Sequence, residues 1–128
     1  ANRHWLAGSF ARAREAGLAG LVLLIHANPD FESANAGHPR RGYRAFIEQL
    51  TRETVTFPGQ VLLIHGDTHA RRVDRPMRHP HSGARVENFL RLETYGSPFL
   101  GWVKVGVEPG SRPLFHIDPR PHLPQRSE

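Results

Sequence analysis

His65, Gly66, Asp67, Thr68 and His69 run without a break from the end of the apolar stretch Val61–Ile64. Two imidazoles and a carboxylate this close together can hold a divalent cation or move a proton. Arg71 and Arg72 follow at once, and guanidinium groups suit bidentate contact with phosphate. The run therefore admits a metal site, a phosphate site, or a polar loop that happens to contain histidines. An earlier stretch echoes it. "LVLLIHANPD" and "QVLLIHGDTH" both end an apolar run in histidine, His26 in the first and His65 in the second. Asn28, Asp30 and Glu32 lie just past the first run, where they can line the mouth of a site.

The elements around these residues place them. Residues 3 to 16 read as a helix, with Trp5, Leu6, Phe10 and Ala13 on one face and Gly17 as its stop. "GLVLLIHA", Gly20 to Ala27, reads as a strand buried on both faces. The next stretch, "NPDFESANAGHPRR", carries the Asn, Pro, Gly and Ser content of a loop. Residues 43 to 56 read as a second helix, with Tyr43, Phe46, Ile47 and Leu50 at helical spacing, ended by Pro58-Gly59. "QVLLIHG" is a second buried strand. This order predicts a parallel βαβ unit. Beyond it the period changes to two. Asn88–Gly96, Gly101–Pro109 and Arg112–Pro119 read as an antiparallel meander with one wetter face. The expected fold class is α/β, a parallel core followed by an antiparallel meander. One domain over residues 1 to 118 is expected, with 119 to 128 as a flexible tail.

In open parallel sheets, ligands gather at the carboxyl ends of the strands. If the two strands are neighbours, His26, His65, Asp67 and His69 converge on one edge. A single histidine at a strand end is more often just a hydrogen-bonded polar residue. Two such ends in one βαβ unit, one of them with an Asp and a second His, point towards a site.

Composition narrows the chemistry. The chain has 128 residues and no cysteine, which excludes disulfides and thiolate metal sites. The formal charge is +5 and the basic residues are nearly all arginine, which favours anionic partners. No clustered basic stripe interleaves with aromatics, so nucleic acid is not the expected partner. No apolar run approaches the roughly 18 residues of a membrane span, and none is a signal peptide. A cytoplasmic location without membrane contact is expected. His79 and His81 read as part of a surface loop. Trp102 and Phe99 read as core or interface aromatics.

"VLLIHGDTHARRVDRP" resembles the last signature of the calcineurin-like metallophosphoesterases, a Gly-His-x-His turn at a strand end. "LVLLIHANPDF" resembles the signature before it. "NFLRLETYGSPFLGWVKVGVEPGSRPLFHIDP" is similar to the closing antiparallel strands of a bacterial branch. The resemblance implies half of an α/β/β/α sandwich and a metal-dependent hydrolase of phosphate esters. It implies His26, Asp67 and His69 as ligands of divalent Mn, Fe or Zn, with Asp67 at the place of the first turn histidine. His65 and Asp67 are the expected catalytic residues, and Asn28, Arg71 and Arg72 the expected substrate contacts. The family's Asp-x-His, Gly-Asp-x-x-Asp and Gly-Asn-His signatures are absent, so the chain reads as a C-terminal portion with weak activity. Burial of the surface that such a portion bares predicts a homo-oligomer. The alternative function is a non-catalytic binding or assembly module that keeps the fold.

Overall fold

The computed structural model describes residues 2 to 68, 71 to 96 and 101 to 121. Helix α1 spans Asn2–Glu15, followed by strand β1 (Gly20–Leu24), short helix α2 (Phe31–Asn35), helix α3 (Arg44–Val55) and strand β2 (Gln60–His65). Strands β3 (Arg72–Asp74), β4 (Phe89–Glu93), β5 (Gly101–Val107) and β6 (Phe115–Pro121) follow among the described residues.

The predicted helix–strand–helix–strand order is present, and β1 pairs with β2 in parallel from Gly20↔Gln60 to Leu24↔Ile64. Gly17 stops α1 as expected. At φ 61° it closes a turn in which the Leu18 amide bonds to the Ala13 carbonyl and the Gly17 amide to Arg14. Gly59 is required for another reason. A Cβ there would sit 2.4 Å from the Ala19 carbonyl oxygen, where the two strands enter the sheet side by side.

The meander expectation needs correction. β4 does not pair with β5. It lies parallel to β2, and β3 pairs antiparallel to its other side, so the sheet runs β1-β2-β4-β3. β5 and β6 form a separate two-stranded antiparallel ribbon. β6 continues to Pro121, so the expected tail boundary at 118 falls inside a strand. Helix α2 lies in the stretch read as a loop. The Asp30 carboxylate accepts from the Ser33 amide and hydroxyl, and this cap starts the helix.

Each face of the sheet has its own core. Leu6, Phe10 and Ala13 of α1, Phe31 of α2 and Leu50 of α3 pack on Leu23, Val61, Leu63 and Phe89. On the opposite face Leu62 and Leu92 meet Leu114 and Phe115, with Val103, Val105 and Ile117 of the ribbon at the margin. The result is a helix layer, a mixed sheet and a ribbon. Trp5 leaves its expected face and is 43% exposed. Trp102 is not in the core either, being 61% exposed beneath the Arg120 guanidinium. Phe99 lies outside the described residues. The Asn88 side-chain amide donates to the carbonyls of Thr54, Phe57 and Gly59, tying the end of α3 to the start of β2. No helix among the described residues is long and apolar enough to cross a membrane.

Candidate functional site at the strand ends

Side chains on the helix-facing side of the sheet form rows across neighbouring strands. Leu21, Val61 and Phe89 make one row, and Leu23, Leu63, Arg91 and Asp74 the next. At the carboxyl end stand His65, Glu93 and Arg72. The rows thus change from apolar to ionic toward the end where ligands gather in such sheets.

Arg91 is fully buried. Its Nε and Nη2 donate to the two Asp74 carboxylate oxygens at 2.7 and 2.6 Å, and Nη2 also reaches Glu32 of α2. The guanidinium lies over the Phe31 ring. Arg72 donates to Glu32 at 2.8 Å and approaches Glu93 at 3.1 Å. Glu93, 1% exposed, accepts from the Thr68 hydroxyl. Burial raises the Glu32 pKa, but the Arg91 hydrogen bond and the charges of Arg91 and Arg72 outweigh it and hold the carboxyl below its usual value. Burial works against the charge on Arg91 too, and its bonds to Asp74 and Glu32 overcome that and raise its pKa.

His65 lies in the last row at 1% exposure. Its Nδ1 is 2.9 Å from the Gly66 carbonyl oxygen, a contact that puts the proton on Nδ1, and 3.8 Å from Glu93. Nε2 is buried and has no partner among the described residues. Burial pulls its pKa below the ordinary histidine value; the Gly66 carbonyl and Glu93 act the other way without overcoming it.

The two strand-end loops lie against each other. The Gly66 amide donates to the His26 carbonyl at 3.1 Å, and the Asn28 amide to Asp67 Oδ2 at 3.3 Å. Asp67 is exposed and has φ 93°, a left-handed backbone rare outside glycine. His26 is exposed on the rim of a cleft shared with Trp5, Leu24, Tyr43 and Phe46. Asn28 is buried; its side chain accepts from the Asp30 amide at 2.9 Å, an Asx turn that shapes the β1 loop. Arg71 is exposed, whereas Arg72 is already engaged by two carboxylates. His69 lies outside the described residues.

The two loop bonds thus bring the His26–Asn28 stretch against Gly66 and Asp67, with His65 buried at the end of β2. The His26 side chain opens into the cleft beside Trp5, and Arg72 stands apart on β3 at the other edge of the sheet. Glu93, Arg91, Thr68 and Asp74 were missed by sequence reasoning. The available signal was charge at alternate positions of an otherwise apolar strand, and it has the same appearance as a solvent-facing side. Among the described residues, no group of three or more His, Asp or Glu side chains is placed to hold a metal. His26 and Asp67 are exposed imidazole and carboxylate donors on adjoining loops, a pair whose chemistry fits a divalent first-row ion. Comparison of the chain with family models, curated proteins and solved structures finds no match in any of the three.

Proposed function

We propose that this chain is a portion of a metal-dependent phosphoester hydrolase of the calcineurin-like kind, half of the α/β/β/α sandwich, with its site where the β1 and β2 loops meet. The single observation that supports the reading most is the junction of those loops, with the Asn28 amide on the Asp67 carboxylate and the Gly66 amide on the His26 carbonyl. It puts the two histidine-ended strands side by side, as a shared site requires.

In this reading His26, Asp67 and His69 hold a divalent ion, Mn, Fe or Zn. Such an ion supplies Lewis-acid polarisation of the phosphoryl group. Arg71 meets the phosphate oxygens with charge-assisted hydrogen bonds. Arg72, paired with Glu32 and Glu93, sets the local positive field more than it binds directly. Asp67 stands at the surface as the carboxylate of that ligand set and would orient the attacking water by accepting its hydrogen bond. His65 is buried below and acts through Gly66 and Glu93.

The test is turnover of p-nitrophenyl phosphate and of a phosphodiester with added Mn²⁺. Weak, Mn²⁺-dependent activity is expected, and it should vanish in Asp67→Gly. That variant should still fold, because glycine relieves the positive φ at 67 and so offsets the loss of the bond from the Asn28 amide. Loss of activity without loss of fold separates chemistry from structure. Activity that ignores both Mn²⁺ and Asp67 would overturn the reading.

A second reading, a non-catalytic assembly module, draws on a different observation. β1 is an edge strand without charge, and its Val22 and Leu24 are 45% and 70% exposed. A homo-oligomer paired along this edge is compatible with either reading.

A further inference from the structure

We propose that Glu93 is the positioning residue of the candidate site, holding the Asp67 turn against the β1 loop through Thr68 and Arg72. The inference rests on the phosphoesterase reading for its purpose, but not for its geometry.

The first argument is reach. Glu93 is the register partner of His65 on one side and of Arg72 on the other, so it sits between the strand that enters the turn and the strand that leaves it. It accepts from Thr68 and pairs with Arg72, residues that flank positions 69 to 71 in the chain. One carboxylate therefore grips both ends of the segment that follows Asp67.

The second argument is electrostatic. β4 is an internal strand, and internal strands of parallel sheets are ordinarily apolar on both faces. A carboxylate at 1% exposure is costly to desolvate, and a well-packed apolar residue would stabilise the fold at least as well. Its place in the strand is accounted for by what it holds.

The third argument is strain. Asp67 has the left-handed backbone that side chains other than glycine rarely adopt. Such a conformation persists only when the surroundings over-determine it. The neighbouring Thr68 is anchored to Glu93, and the Asp67 carboxylate is met by the Asn28 amide. Glu32 extends the grip to the other loop, since it bonds to Arg72 from α2. The helix that follows the β1 loop is thus joined through Arg72 to the buried Glu93 carboxylate.

The experiment follows amide hydrogen exchange and Mn²⁺ titration in the parent chain, Thr68→Val, Thr68→Ser and Glu93→Gln. The Asn28 amide reports where Asp67 sits, with no need for metal or activity. In Thr68→Val and Glu93→Gln its protection should fall, and Mn²⁺ affinity should drop about 10-fold, as for other residues that orient metal ligands. Thr68→Ser keeps the hydroxyl and should restore both. The amide of Leu63 in β2 should stay protected throughout. If Glu93→Gln also exposes Leu63, the chain has unfolded, and Thr68→Val alone decides. Unchanged Asn28 protection in Thr68→Val would overturn the positioning role. If the parent chain shows no response to Mn²⁺, the phosphoesterase reading fails, while the Asn28 comparison still decides the role of Glu93.

Discussion

The two edges of the four-stranded sheet are built on opposite principles. At one edge β3 is three residues long, and its Arg72 and Asp74 are committed to ion pairs with Glu32, Glu93 and Arg91. Short, charged edges resist pairing with another chain. At the other edge β1 has no charged residue from Ala16 to Ile25, and Val22 and Leu24 face outward. Beside it Trp5, Tyr43 and Phe46 border a cleft of about 390 Å³. One edge is finished within the chain, and the other is suited to accept a further strand. The difference also divides the energetics. Order at the β3 edge depends on buried charge, whereas the β1 edge depends on how its apolar surface is covered.

Removing the charge that organises the β3 edge should have the largest effect. Arg91→Ala strips Asp74 of its partner, leaves Glu32 to Arg72 alone, and opens a void against Phe31. A loss of about 3 kcal/mol in unfolding free energy is expected, as for other broken buried pairs, and urea denaturation measures it. A loss below about 1 kcal/mol would mean that the ionic rows contribute little and that the two edges differ less than their chemistry implies.

Placing a charge on the β1 edge should act on assembly rather than on folding. Leu24→Lys leaves intramolecular stability within about 0.5 kcal/mol, because the side chain is already exposed. It should convert a homo-oligomer to monomer at micromolar concentration, read by light scattering. A parent chain that is already monomeric would show that the apolar edge is tolerated uncovered.

The smallest expected effect is in pH dependence. Glu32 has a lowered folded pKa, so its contribution to stability is present above the unfolded carboxylate value of 4.5. It is lost as pH falls through the lower folded value. Melting temperature should therefore drop less steeply in Glu32→Gln than in the parent between about pH 5 and pH 3. Equal slopes would sever Glu32 from the ionic rows.

Local signals carried the first half of the fold. Helices α1 and α3, the Gly17 stop and the parallel β1–β2 pair follow from spacing, run length and capping chemistry within a few residues. β4 did not, because Phe89, Arg91 and Glu93 alternate with Leu90 and Leu92 as a half-wet strand does. The polar side is dry only because Asp74, Glu32, Thr68 and Arg72 meet it from elsewhere in the chain. Pairing of that kind leaves no periodic trace. Helix α2 was hidden for a related reason, since its five residues sit among loop-forming Asn, Pro and Gly and depend on one Asp30 cap. At the site, the loops that approach each other were foreseeable from the paired strand ends. The depth of His65 and the engagement of Arg72 were not, because both follow from the position of β4.

The Asn88 amide makes the helix–strand unit depend on a residue that arrives later in the chain. Its donors serve carbonyls at the end of α3 and in the turn into β2, where the Phe57 amide already bonds to the Thr54 carbonyl. The turn from helix to strand thus carries long-range bonds from Asn88 in addition to its local one. Contacts between residues 29 to 34 positions apart must form before that corner is secure, which raises the contact order of a region that would otherwise fold locally. A chain that ends before Asn88 would lack these three bonds and keep the local Phe57 bond at the joint between α3 and β2.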